Sequence, residues 1–471
     1  MLFYIIIVLF LNTSTILAQN SNCGISLTLN DTAATLELER VLNFNVAKNI
    51  KQLPKLNKKE MIEAYRVRAF NIKQQARHGD FYFEPEITDY FQTIFQNIVS
   101  ANPVLAPYNL QLLISRYPYP NAYCTGAGTL VFNLELLSWL ENESQVAFVI
   151  CHEIAHHTFG HVNTALTKRI DYLNTRETKK ELKKIAKSQT NTNTKATEFL
   201  QDFVYEDRRH SRLHEATADS MALVYLNNTT YDAAAALSCL AILDKVDGQR
   251  FEQDIEIEQI FHTQTYPFKS HWLEQETSIF DKVKKVETWD KDSIKTHPDC
   301  SKRIDLLTPQ LANYQQVENL SNTAKTSSLK AIQFQANLEL IHNAYLYKSI
   351  GKSLYYTLLL LEQYPEEACL HAMVGKSLYA IHQAQKKHEL TEILDSPAAW
   401  QPIQYQTLLK FLEGLRLKEI AQLNYAYLYT RKEEFIHHKA FHHALILATE
   451  VVENEKELAI LEDLWKEKYS K

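Results

Sequence analysis

The stretch Cys151–His161, CHEIAHHTFGH, restricts this chain more than any other. Five of its eleven residues are histidine or glutamate, set in a run otherwise apolar enough for a core. Burying so much polar chemistry is costly unless something compensates it, and a metal ion would. In a helix, His152 and His156 project from one face, one turn apart. Two imidazole nitrogens can then reach a single tetrahedral ion. Glu153 sits one step round, where a general base must stand to deprotonate a metal-bound water. Asn142 is the expected cap, with Gln145 offering the reciprocal bond of a capping box and Gly160 the stop. Val146, Val149, Ile150 and Ile154 mark the apolar surface of this helix.

Zinc, one ion per chain, needs a third protein ligand and keeps the fourth position for water. A one-helix solution would require glycine at 159 and histidine at 162, where the sequence has Phe159 and Val162. The remaining solution is an acid from a second helix. HSRLHEATADSMALVYL, residues 210–226, supplies Glu215 and, four residues on, Asp219. Glu215 is the candidate ligand, and Asp219 would orient a ligand imidazole from behind. The same pair could also be an ordinary exposed acid pair, but its apolar surroundings argue for a ligand. His157 projects away from His152 and His156 and reads as structural or exposed. His161, just past the helix stop, is a weaker ligand candidate.

The other signals set the context. The 471 residues suffice for two or three domains, and 9 glycines with 12 prolines favour a helix-rich chain. The net charge of -6 and the lack of a long basic run argue against nucleic acid or anionic lipid as the main partner. Leu2–Leu11 is an apolar run too short to span a bilayer and suited to an export signal, here residues 1–18. No basic residue precedes it, and Ile16 is large for its place before Ala18. No later stretch is long and apolar enough for a spanning helix. The chain is therefore expected to be exported, periplasmic or secreted. Six scattered cysteines form no metal-finger pattern.

Residues 19–80 read as an N-terminal helical segment. Ile87, Phe91, Ile94, Phe95 and Ile98 carry helical spacing, Tyr108–Arg116 and Thr129–Leu134 read as strands, and YPYPNAYCTGAG between them reads as a turn. Residues 162–210 read as a charged insertion of two solvated helices, 308–328 as a linker, and 329–471 as an all-helical interaction domain. The fold class is thus α+β and predominantly helical, with a small sheet in the metal-binding part.

Four blocks in order carry a family resemblance: PNAYCTGAG, ENESQVAFVICHEIAHH, SRLHEATAD and THPDCSKRID. Together they resemble the zinc peptidases that include the CAAX prenyl endopeptidases, the HtpX-like membrane proteases and the periplasmic BepA-like proteins. The resemblance implies a zincin-like peptidase domain over 81–307, with His152, His156 and Glu215 as zinc ligands and Glu153 as catalytic base. It places Asn121 and Ala122 by an edge strand against which an extended protein or peptide substrate could pair. It gives His297 two competing roles: an oxyanion donor, or a fourth zinc ligand holding the enzyme latent. Without spanning helices the chain lies nearer the soluble branch, which favours latency. A Cys124–Cys300 disulfide across the cleft is conceivable in an oxidising compartment, against two separate thiols. Gly126–Ala127–Gly128 departs from the usual Gly-Gly, and the long insertion is unusual.

The same branch carries a C-terminal tetratricopeptide domain. Pro365 and Gly375 have that repeat's spacing, but the preceding repeat lacks its glycine, so an irregular helical bundle is the alternative. The expected activity is endopeptidase cleavage of unfolded or misassembled proteins, with an envelope protein as possible partner of the C-terminal domain. The competing class is an envelope chaperone or assembly factor with a latent or structural zinc site.

Overall fold

The computed structural model describes residues 32–53, 58–187, 213–248, 255–273, 300–312, 314, 322–398 and 401–469. The leader (1–18), Cys23 and His297 lie outside them. The described residues fall into two compact units. One draws on 28–250 and 284–337, the other on 251–283 and 338–471.

The first unit is built round a four-stranded sheet of order β1-β2-β4-β3, with β1 Phe81–Tyr82, β2 Gln111–Ser115, β3 Ala122–Cys124 and β4 Thr129–Asn133. β2 and β4 run parallel, and β1 and β3 are antiparallel edges. β4 is buried at every position, so it shows no alternation of polar and apolar residues. β3 lies inside the stretch expected to be only a turn. Three residues between a Pro/Asn cluster and a glycine loop carry too little pattern to announce a strand.

Paired residues share a face. Leu113 and Val131, paired with each other, join Leu38 and Leu42 of α1 (Thr32–Gln52) and Ile72 and Ala76 of α2 (Lys58–His78) in one cluster. The two N-terminal helices therefore belong to this unit's core. On the opposite face Phe132 meets Phe91, ring centroids 4.8 Å apart, from α3 (Pro85–Ala101). Ile87, Phe91, Ile94, Phe95 and Ile98 of α3 are all buried, as their spacing predicts.

A one-turn helix, α4 (Leu134–Leu137), leads into α5 (Glu143–Thr158), which packs against α3, β3 and β4. Asn142 caps α5, its side-chain oxygen accepting from the Gln145 N–H at 3.0 Å. Gln145 does not return the bond to Asn142. Its Oε1 accepts from the Glu141 N–H at 2.6 Å, one residue further back. Gly160 ends the helix in the left-handed region, φ 65°. α6 (His161–Asn174) and α7 (Arg176–Lys187) follow, then a helix over residues 213–227, here α8, and α9 (Ala235–Gly248). α10 (Cys300–Leu311) packs on α9. A further helix, Asn322–Leu346, means that the stretch 308–328, read as a linker, is helical at both ends.

The second unit is helical. Gly375, in the helix Ala368–Lys386, is needed for close packing: a Cβ there would lie 2.7 Å from the Leu428 side chain. Residues 255–273 join this unit although they precede α10 in sequence. Phe261 and Phe268 both stack on Phe411 at 5.7 Å, and Lys269 pairs with Glu419 at 3.1 Å. Among the described residues no helix is long and apolar enough to cross a membrane.

Candidate metal centre

α5 is apolar on nearly all sides, and residues 145–155 are all buried. His152 and Glu153 are thereby carried into the interior at 5% and 7% exposure. α8 brings Glu215 and Asp219 to the same place, Asp219 1% exposed. His152 Nε2 lies 3.0 Å from His156 Nε2 and 3.4 Å from Glu215 Oε2, and His156 Nε2 lies 3.3 Å from Glu215 Oε1. Donor atoms bound about 2.0–2.1 Å from a tetrahedral zinc sit about 3.3 Å from one another. The triangle has zinc's dimensions, and the donor set of two imidazoles and a carboxylate is one zinc accepts.

Charged groups crowd the same point. Burial disfavours charge on His152, but its bonds to Asp219 and Glu215 outweigh that and raise its pKa to about 10. Burial likewise opposes ionisation of Glu215 and Asp219. Arg303, with His152 and, for Glu215, His156, holds both carboxyls below their ordinary range. Glu153 is pushed up by burial, with His156 and His152 pulling the other way.

Each of these two imidazoles is held from behind at Nδ1. His152 Nδ1 lies 2.9 Å from Asp219 Oδ1. His156 Nδ1 lies 3.2 Å from Nδ1 of His161. His157 takes no part; its ring meets the edge of Tyr108 at 5.4 Å, and burial lowers its pKa to about 4.

Arg303, within the THPDCSKRID block, is central here. It grips Asp219 with two bonds of 2.6 and 2.7 Å, reaches to 3.0 Å from Glu215, and is 3% exposed. The available signal was an arginine between Cys300 and Leu307 on the buried stripe of α10.

β3 lies beside α5. The register puts Ala122 and Cys124 on the face of Phe132 and Leu130, and Tyr123 on the opposite face with 36% exposure. The Asn121 carbonyl accepts from the Asn133 N–H at 2.9 Å, leading the chain into β3. After β3, Gly126 adopts φ 80°, and a Cβ there would meet Asn163 Oδ1 at 2.6 Å. The Cys124 thiol, raised to about 12 mainly by burial, accepts from the Gly126 N–H. No disulfide joins Cys124 to Cys300. The Cys124 thiol faces Glu153 and Arg68, whereas Cys300 lies by Cys239 and Arg303.

A histidine pair one turn apart, a glutamate between them in sequence and a second glutamate from another helix make the arrangement of a metalloprotease. Residues 87–310 match peptidase family M48. Among its relatives is the beta-barrel assembly-enhancing protease of Yersinia pestis, 30% identical over 111 residues, 21% of this chain and 22% of that protein. The protein of the same name from Escherichia coli (strain K12) is 31% identical over 108 residues, 20% and 22% of the two chains. The matched stretch spans about a fifth of each relative's length.

Proposed function

We propose that the chain is an exported zinc-dependent endopeptidase that cuts unfolded or misassembled proteins. The observation that carries this is the convergence of His152, His156 and Glu215 within ligand distance of one point, with Glu153 buried beside it. Zinc, when bound by those three residues, supplies the Lewis acidity that makes a water acidic near neutral pH and polarises a peptide carbonyl. Glu153 takes the proton from the attacking water as its oxygen bonds to the carbonyl carbon. It then delivers that proton to the amine as the C–N bond breaks. The low-dielectric surroundings that raise the Glu153 pKa bring it nearer the working pH of a general base. Asp219 and Arg303 keep Glu215 and His152 in place through the reaction. An extended substrate segment adds to the edge strand β3, Asn121 and Ala122 leading it to the ligand helix.

Export rests on the leader-like run Leu2–Leu11, and a protein-contact role for the second unit on its helical build and on the assembly role in the relatives' name. That unit is read as tetratricopeptide-like on the spacing of Pro365 and Gly375. The direct test is hydrolysis of unfolded casein. Cleavage is expected to stop when a chelator strips the metal and to return when zinc is restored. Cleavage indifferent to the chelator would contradict the reading.

His297 decides whether the enzyme is latent. As a fourth ligand it would occupy the position needed by water, so His297→Ala is expected to raise casein cleavage. If His297 instead donates to the oxyanion, the same change slows cleavage about a hundredfold. Equal rates would remove His297 from the site.

A further inference from the structure

We propose that His161 is a positioning residue for the ligand His156, tying it to the helix that carries Glu215. The proposal rests on the zinc reading above. His161 follows the Gly160 turn, which swings it back beneath the end of α5, and it is 7% exposed. Its Nδ1 lies 3.2 Å from His156 Nδ1, and its Nε2 lies 3.3 Å from the Thr217 hydroxyl. Thr217 Oγ1 in turn donates to the Leu213 carbonyl at 3.0 Å.

One set of protons satisfies the whole chain. His156 uses Nε2 for the metal, so its Nδ1 carries hydrogen and donates to His161 Nδ1. His161 is then the Nε2–H tautomer and donates to Thr217, whose own hydrogen goes to Leu213. Two neutral imidazoles and a hydroxyl relay one direction of donation from α5 into α8.

The ring is also locked in plane. It lies against His214 at 4.2 Å with 9° between planes, and against Phe159 at 5.4 Å and 13°. His214 immediately precedes Glu215. The two ligand histidines are thus each anchored at Nδ1 to α8: His152 directly by Asp219, His156 through His161 to Thr217. Thr217 falls between Glu215 and Asp219 in sequence, so one helix supplies the third ligand and both anchors. Bonds to the far nitrogen of a ligand imidazole fix its tautomer and aim, and their loss typically weakens metal binding about 10–100-fold.

The test is zinc affinity by competition with a chromogenic chelator, using the full chain and the variants His161→Phe, His161→Asn, Thr217→Val and His157→Ala. Phenylalanine keeps a flat ring between Phe159 and His214 but cannot accept from His156. Asparagine loses the stack but offers a carbonyl oxygen where Nδ1 stood. A positioning role predicts that His161→Phe loses about 10–100-fold in affinity and His161→Asn recovers most of it. Thr217→Val should show a smaller loss in the same direction and His157→Ala none. A packing role predicts the reverse order of the first two. Wild-type affinity in His161→Phe, or His161→Asn no better than His161→Phe, overturns the proposal. A wild-type chain that binds no zinc overturns the zinc reading itself and this proposal with it, which the variants need not be made to see.

Discussion

Glu153→Gln is expected to cut peptide hydrolysis by about 10²–10⁴-fold, the usual worth of a positioned general base. The side chain is nearly isosteric, and at 7% exposure its packing is preserved. What changes is chemistry: an amide at this position cannot take a proton from water and return it to the amine. Stability should not suffer, because burial already disfavours the charged form of Glu153 and the substitution removes that cost. Single-turnover rates on one unfolded substrate measure the effect. A variant cleaving within a few-fold of wild type would mean that another group is the base.

Arg303→Leu should be the most damaging change away from the ligands. Arg303 is 3% exposed and pairs with Asp219 and Glu215. Leucine fills much of the volume but takes the guanidinium from two buried carboxyls and leaves them only the neighbouring imidazoles. Breaking a buried pair from one side typically costs about 3–5 kcal/mol, because the orphaned charge stays in a low dielectric. The loss should appear in urea unfolding of chelator-treated protein, where no metal offsets it. Asp219→Asn should cost less, since Arg303 keeps Glu215 at 3.0 Å. A loss below about 1 kcal/mol for Arg303→Leu, the scale of an exposed pair, would show that the cluster is wet.

How much was legible follows from range. The candidate ligands were legible because helical geometry alone puts His152 beside His156, and Glu215 one turn from Asp219. α3 was legible from five apolar residues at helical spacing, all of them buried. Contacts that depend on distant segments were not. Arg303 meets Asp219 across 84 residues of sequence, and nothing local marks it except its place on an apolar stripe. His161 was weighed as a ligand, and its reach to Nδ1 of His156 depends on the turn at Gly160. Residues 255–273 read as part of the peptidase stretch, yet their aromatic rings settle on Phe411. β3 was hidden by brevity, and its pairing with β4 is settled by the sheet.

The account turns on whether His152, His156 and Glu215 hold zinc independently of the group that does the proton transfer. Elemental analysis of purified wild type, Glu153→Gln, His156→Ala and Glu215→Ala, each after dialysis against the same weak chelator, tests this most directly. The expected result is about one zinc per chain in wild type and Glu153→Gln, and little in the two ligand variants. Zinc retained at wild-type level by His156→Ala and Glu215→Ala would contradict the site.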